Sequence, residues 1–271
     1  MLHHTVNGHS MAYIEIGTGR PLVAIHGSLG DFRSWAPVMG PLSRHHRLIV
    51  PSLRRFFPEI WDGKGGGYTI PQHVADVIAF IETLDCGPVD LMGHSRGGHI
   101  AFRVAHTRPD LVAKLILAEP GGELDGTLVA SAGAPSTVRT ESIALAAEKI
   151  AAGDIDGGLE IFVDRIGGPG TWAKRPAASK QMRRDNAGTL IGQINEKRAP
   201  FSKAEAEAVR AETLLIGGAL TKGLLREVLD ALTTAIPGAR AEIIPDAGHS
   251  MFEQAPQRFS EIVLEFLATG R

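Results

Sequence analysis

The chain has 271 residues, 44% of them hydrophobic and 21% charged, with a formal charge of -2 at neutral pH. That length suits one large α/β domain with room for an inserted subdomain, and so small a charge leaves no basic surface for a nucleic-acid partner. The opening Met-Leu-His-His-Thr-Val has no basic stretch leading into an apolar one, and no long uncharged apolar run follows anywhere. A cytoplasmic protein without membrane contact is therefore expected.

In chain order, residues 2–6 and 11–16 flank Asn7-Gly8, a pair suited to the positive φ angles of a tight turn, which predicts an antiparallel hairpin. Pro21-Leu22-Val23-Ala24-Ile25 is an unbroken apolar run, as a strand buried on both faces requires. It ends in His26-Gly27-Ser28-Leu29-Gly30-Asp31, and Asp31 is placed to cap a helix running to Leu42. Leu48-Ile49-Val50 predicts a second buried strand, followed by a long Pro/Gly/aromatic segment over 51–68. Pro71 opens a helix that carries Val74, Val77, Ile78, Ile81 and Leu84 along one face. A strand over 88–92 leads into Gly93-His94-Ser95-Arg96-Gly97, a helix then runs to about Arg108, and Leu111 to Ala118 reads as another strand, closing at Glu119-Pro120-Gly121-Gly122.

Between Gly122 and Ala211 this rhythm stops, with helical stretches at about 137–152, 155–166 and 178–197 and no buried strand. It resumes with a strand over 213–216, a helix over 223–235, a strand over 241–244, the turn Pro245-Asp246-Ala247-Gly248-His249 and a final helix over 256–267. Buried strands alternating with helices predict an α/β fold, a mostly parallel central sheet flanked by helices with functional groups at the strands' carboxyl ends. Residues 1–121 and 211–271 form the expected core domain, and 122–210 a helical cap, or lid, inserted between strands.

The single cysteine, Cys86, ends a predicted helix with no ligand-spaced partner and reads as a buried small apolar residue. The eleven histidines include no metal-binding cluster, and His45 and His46 read as solvated surface. No metal or cofactor is expected. The stretch that imposes the severest physical demand is Gly93-His94-Ser95-Arg96-Gly97. A serine on a strained strand-to-helix turn needs neighbours without bulk two residues away on both sides, which Gly93 and Gly97 provide. Such a turn lifts the hydroxyl above the sheet and aims the Arg96 N–H, at a helix N-terminus, toward any oxygen that becomes negative.

His26-Gly27 after an early strand, the Gly-x-Ser-x-Gly turn, an inserted helical block and Gly248-His249 after the last strand stand in the order of the α/β-hydrolase superfamily. The chain resembles it over essentially its whole length, with the esterase and acyl-homoserine-lactone-cleaving branches in view. The resemblance implies Ser95 as nucleophile, His249 as general base, and the N–H groups of Arg96 and Ser28, with Leu29 in reserve, as oxyanion donors. It implies that His26 braces its loop rather than moving protons. The chain departs from the pattern at the acid, since Gly217-Gly218-Ala219 carries no carboxylate where most relatives place one. Other branches put the acid one strand earlier, where this chain has Glu119. A carboxylate closing a buried strand needs a partner such as the His249 Nδ1–H, whereas Asp246 reads as a turn former.

A mostly apolar substrate pocket is expected from Leu29, Phe32, Phe57 and Trp61 below and Phe162, Ile166, Trp172 and Met182 above, with His94 beside the serine. The basic residues at 174, 175, 180, 183 and 184 read as a solvated face. The leading expectation is a serine hydrolase, a monomer or homodimer, cleaving an uncharged or modestly polar small-molecule ester or lactone through an acyl-enzyme. A carbon–carbon bond or amide hydrolase, or a non-catalytic ligand-binding protein on the same scaffold, are the alternatives. Haloalkane and epoxide chemistry need a carboxylate nucleophile, which residue 95 is not.

Overall fold

A computed structural model describes residues 1–128, 137–194 and 196–269. One eight-stranded sheet contains β1 (Leu2–Val6), β2 (His9–Ile16), β3 (Pro21–Ile25), β4 (Arg47–Pro51), β5 (Val89–His94), β6 (Val112–Ala118), β7 (Glu212–Gly218) and β8 (Arg240–Ile244). Their order across the sheet is β1-β2-β4-β3-β5-β6-β7-β8. Strands β3 to β8 run parallel, and the hairpin β1–β2 joins β4 antiparallel. The hairpin turns at Asn7 and Gly8, both with positive φ, and pairing continues to the very turn (Val6 with His9), so β2 starts earlier than its apolar pattern indicates.

Every residue of β5 is buried, as are four of five in β3, because hydrophobic cores lie on both sides of the sheet. Phe80 and Phe102 belong to one, Trp35 and Phe259 to the other. The chain steps from β3 out to β4 and returns to β5 on the other flank of β3. That reversal opens a crevice at the carboxyl ends of β3 and β5, where ligands collect in open α/β sheets. The loop starting at His26 and the turn at Ser95 both leave the sheet there.

Helix Ile70–Thr83 is capped by the Thr69 hydroxyl, which accepts from the Gln72 N–H. The helix expected after Asp31 divides into a 3-10 turn, Phe32–Trp35, and an α-helix, Ala36–Ser43, with Asp31 capping the first. Between β6 and β7 the described residues hold only helices, among them Thr137–Ala151, Ile155–Gly167, Ala177–Asp185 and Gly188–Gln193, and one isolated bridge, Leu124 with Phe201. The stretch 178–197 is not one helix. It breaks at Asn186, whose side chain donates to Asp31 Oδ2 (2.7 Å) and accepts from the Phe57 N–H (2.7 Å). A short amide that bonds elsewhere competes with helix continuation. This helical segment has a small core of its own that includes Ile143, Leu159, Phe162, Trp172, Leu190 and, from the β3 loop, Leu29.

One surface assignment needs correction, since His46 is buried, enclosed where the chain enters β4. Cys86, expected as a buried small apolar residue, is half-buried against the main core. No helix among the described residues is long and apolar enough to cross a membrane.

Candidate active site

At the end of β5 the backbone turns at Ser95 (φ 51°, ψ -115°) into helix Arg96–Thr107. A Cβ on Gly93 would strike the Gly97 carbonyl, and one on Gly97 the Ile25 carbonyl, so the glycines permit three backbones to meet here. Backbone bonds hold the strained residue. Its N–H donates to Ala118 O (3.0 Å), and its carbonyl accepts from the N–H groups of His99 (3.0 Å) and Gly121 (2.8 Å). Ser95 is half-buried in the wall of a cavity of about 150 Å³ that also meets Ser28, Leu29, His94 and His249.

Glu119 is the first residue beyond β6, with φ 40° and its N–H bonded to Ile216 O. Its side chain is only 1% exposed, and each carboxylate oxygen has a donor. Oε1 accepts from the Gly218 N–H (2.7 Å) and Oε2 from His249 Nδ1 (2.6 Å). Satisfying both oxygens is what makes a buried carboxylate tolerable. With Nδ1 so engaged, Nε2 is the nitrogen the His249 ring has left for exchange. Ala219 offers the ring nothing, its N–H being tied to Ile244 O, and Asp246 is exposed in the preceding turn.

His94 packs its ring 4.5 Å from that of His249 and donates from Nε2 to the His249 carbonyl (2.8 Å). Burial, then the neighbouring His249, Arg183 and Arg175, hold His94 well below the usual imidazole range, so it is a neutral donor that fixes the loop. His26, fully buried, is pulled down to about 4, chiefly by desolvation. Its Nδ1–H donates to Gly27 O (2.9 Å) and Nε2 accepts from the Leu53 N–H (3.0 Å). Among the described residues the backbone N–H groups of Ser28 and Arg96 have no protein acceptor, while the Ser28 hydroxyl donates to Gln193 Oε1 (3.3 Å) in the helical segment.

Four aromatic residues expected at the substrate do not reach this cavity, Phe32 being buried in one of the sheet's cores edge-on to Phe57. Phe57 lies under the Arg33 guanidinium (3.8 Å), Trp61 stacks on Tyr68 and donates to Lys64 O, and Trp172 is buried in the core of the helical segment. Each aromatic face already has a partner. Phe162 and Ile166 do line the cavity, whereas Met182 belongs to a neighbouring groove. The basic stretch is not uniformly solvated either, because Arg175 and Arg183 turn inward and form part of the cavity wall, held by Glu253.

The side chain of Arg96 is a further feature that sequence reasoning missed. It is wholly buried, doubly bonded to Glu196 (2.7 and 2.5 Å), in contact with His73 (3.1 Å) and stacked on Tyr68. Glu196 also takes Arg198, which donates to Gly121 O (3.0 Å). Burial opposes ionisation of Glu196, but the two guanidiniums outweigh it and lower its pKa. The sequence signal was a basic residue on the buried side of an elbow helix, which demands an acid without saying which.

A sequence model described as the alpha/beta hydrolase family matches residues 22–262. A Mycobacterium tuberculosis protein provisionally named a non-heme bromoperoxidase is 29% identical, the match covering 96% of this chain and 98% of that protein. The 3-hydroxybutyrate-oligomer hydrolase of Cupriavidus necator is 27% identical over 89% of this chain and 87% of its own. Among solved structures, the enol-lactonase of Burkholderia xenovorans superposes with a TM-score of 0.76 at 22% identity, covering 98% of this chain and 99% of that one.

Proposed function

The chain belongs to the alpha/beta hydrolase family, and we propose that it is a serine hydrolase that cleaves a carboxylic ester or lactone through an acyl-enzyme. Ser95 Oγ attacks the carbonyl carbon and its proton passes to His249 Nε2. Glu119 holds the ring through Nδ1 and stabilises the imidazolium that forms. The backbone N–H groups of Ser28 and Arg96 receive the oxyanion. His249 then gives the proton to the departing alkoxide, and a water activated by the same nitrogen hydrolyses the acyl-enzyme. In a lactone the departing alkoxide stays attached to the acyl group, so ring opening and deacylation release one product. Residues 122–210 act as the lid over this site.

The observation that carries the reading is the continuous series from the Gly218 N–H through Glu119 to His249 Nδ1, with His249 and Ser95 on the walls of one cavity. A carboxylate buried this completely and aimed at an imidazole orients that ring, and an imidazole is what a serine hydroxyl needs to become a nucleophile at neutral pH. The test is a fluorophosphonate probe read by intact-protein mass. The wild type should gain one adduct at Ser95, and Ser95→Ala should gain none and lose several powers of ten in ester turnover. A folded protein that never labels, or a Ser95→Ala variant that keeps more than about a tenth of the activity, refutes the assignment.

A further inference from the structure

Two cavities flank Ser95 and His249, of about 150 and 90 Å³, and Ser28, Phe162 and Ile166 border both. Their walls carry four arginines, Arg175 and Arg183 in the larger and Arg165 and Arg198 in the smaller, and no aspartate or glutamate. A small ester site in an apolar lid has no need of guanidinium groups, and burying them is costly unless something negative is near. For Arg175 and Arg183 the acid that bonds them is one residue. Glu253 accepts from Arg175 Nη1 (2.6 Å) and Arg183 Nη2 (3.3 Å). The Ser250 hydroxyl accepts from Arg175 and the Ser179 hydroxyl and carbonyl from Arg183, and Arg175 Nε is buried without a partner among the described residues. The two side chains are only 12% and 11% exposed.

The other charged groups packed around them lie behind the wall rather than on it. Asp31 and Asp185 share one cation, Arg33, and Asp31 acts on Arg183 from behind, but neither acid lines the cavity. Glu119 is held by His249 and Gly218, and His94 is neutral. Arg183, lowered by burial to about 10, remains charged at neutral pH. One carboxylate therefore bonds two cations, and the lining of the larger cavity presents two guanidiniums and no acid.

From this wall we propose that the site takes esters or lactones that themselves carry a carboxylate, seated against Arg175 and Arg183 while the scissile carbonyl lies at Ser95. This rests on the hydrolase reading above and narrows its substrate class. It replaces the uncharged substrate that an apolar lid implies. Guanidinium groups match a carboxylate in geometry as well as charge, and the enclosed wall strengthens the pairing relative to water. The small cavity volumes limit the acyl portion to a few carbons.

The test compares ethyl hydrogen succinate with ethyl isocaproate, in which a dimethyl-substituted carbon replaces the carboxylate at equal size, followed by pH-stat. The wild type should favour the charged ester in kcat/KM by about ten- to a hundredfold, the range of one charge-assisted hydrogen bond or salt link. That ratio should fall toward one in Arg175→Gln and Arg183→Gln, mainly through KM. It should rise in Glu253→Gln, which frees both cations from their shared acid. A wild-type ratio at or below one, or a ratio unmoved in both arginine variants, overturns the proposal and leaves the hydrolase reading standing if Ser95 still labels. If Ser95 does not label and neither ester is cleaved, the hydrolase reading fails. The anion seat is then judged by calorimetry with succinate, where saturable binding lost in Arg183→Gln upholds it and no binding refutes it.

Discussion

Replacing Glu119 by glutamine removes one oxygen from a residue whose two oxygens both accept hydrogen bonds. The amide can turn its oxygen to only one of them. If the oxygen keeps His249 Nδ1–H, the NH2 group faces the Gly218 N–H, and a buried backbone donor is left unpaired at a cost of about 1–3 kcal/mol. If the oxygen keeps Gly218, the NH2 group donates to Nδ1 and drives the proton to Nε2, the nitrogen that must be bare to take the Ser95 proton. Neither arrangement stabilises an imidazolium as a carboxylate does. The expected loss in kcat is on the order of 10²–10⁴-fold with KM little changed, equivalent to about 3–5 kcal/mol of transition-state stabilisation. Steady-state hydrolysis of an activated aryl ester measures it, with a urea melt to register the stability cost separately. Near-normal turnover in Glu119→Gln together with an inactive Asp246→Asn would move the acid to the turn before His249 and refute the argument.

Gly97→Ala tests the elbow as packing, because its Cβ would collide with the Ile25 carbonyl and cannot be relieved by a side-chain rotation. It should destabilise the fold by about 3 kcal/mol or more and slow fluorophosphonate labelling, so a variant with wild-type melting and labelling contradicts it. Acid should weaken the fold well before the carboxylates titrate. His26 has a folded value of about 4 against 6.5 unfolded, so its share of stability is fully present above the unfolded value and is lost as pH falls through the folded one. That share is about 3 kcal/mol, and His73, His94 and His99, also held low chiefly by burial, act in the same direction. Urea midpoints should therefore decline between about pH 7 and pH 4, less steeply in His26→Asn, and a flat profile there rules the effect out.

The sheet and the elbow were legible because both rest on local rules. Unbroken apolar runs such as 21–25 specify strands buried on two faces, and a serine between Gly93 and Gly97 specifies a turn that no bulkier neighbours permit. Glu119 stood out for a related reason, since a carboxylate closing the apolar run of β6 must find donors, and in the structure it meets the Gly218 N–H and His249 Nδ1. The pocket aromatics were not legible. Phe57, Trp61 and Trp172 lie in segments near the site, but which surface an aromatic ring covers depends on partners such as Arg33 and Tyr68. Proximity along the chain carries no information about that choice.

The inward arginines show the same limit in a sharper form. Arg175, Ser179 and Arg183 recur every four residues, which places them on one side of helix Ala177–Asp185 and the turn before it, and by charge alone that side belongs in water. Met182, on a neighbouring position, is the only residue of this helix that is fully buried, so the apolar pattern is too thin to override the charges. The side that turns inward is decided instead by Glu253, seventy residues beyond Arg183, together with Ser250, which supply an acid and a hydroxyl for the guanidiniums to bond. A cation can be buried when its partner is buried with it, and that partner lies in an element whose own sequence reads only as the start of the last helices. Periodicity reports which residues avoid water, whereas a binding wall is made of residues that do not avoid it and are enclosed nonetheless. Such walls become visible only when the elements that pair their charges have been brought together.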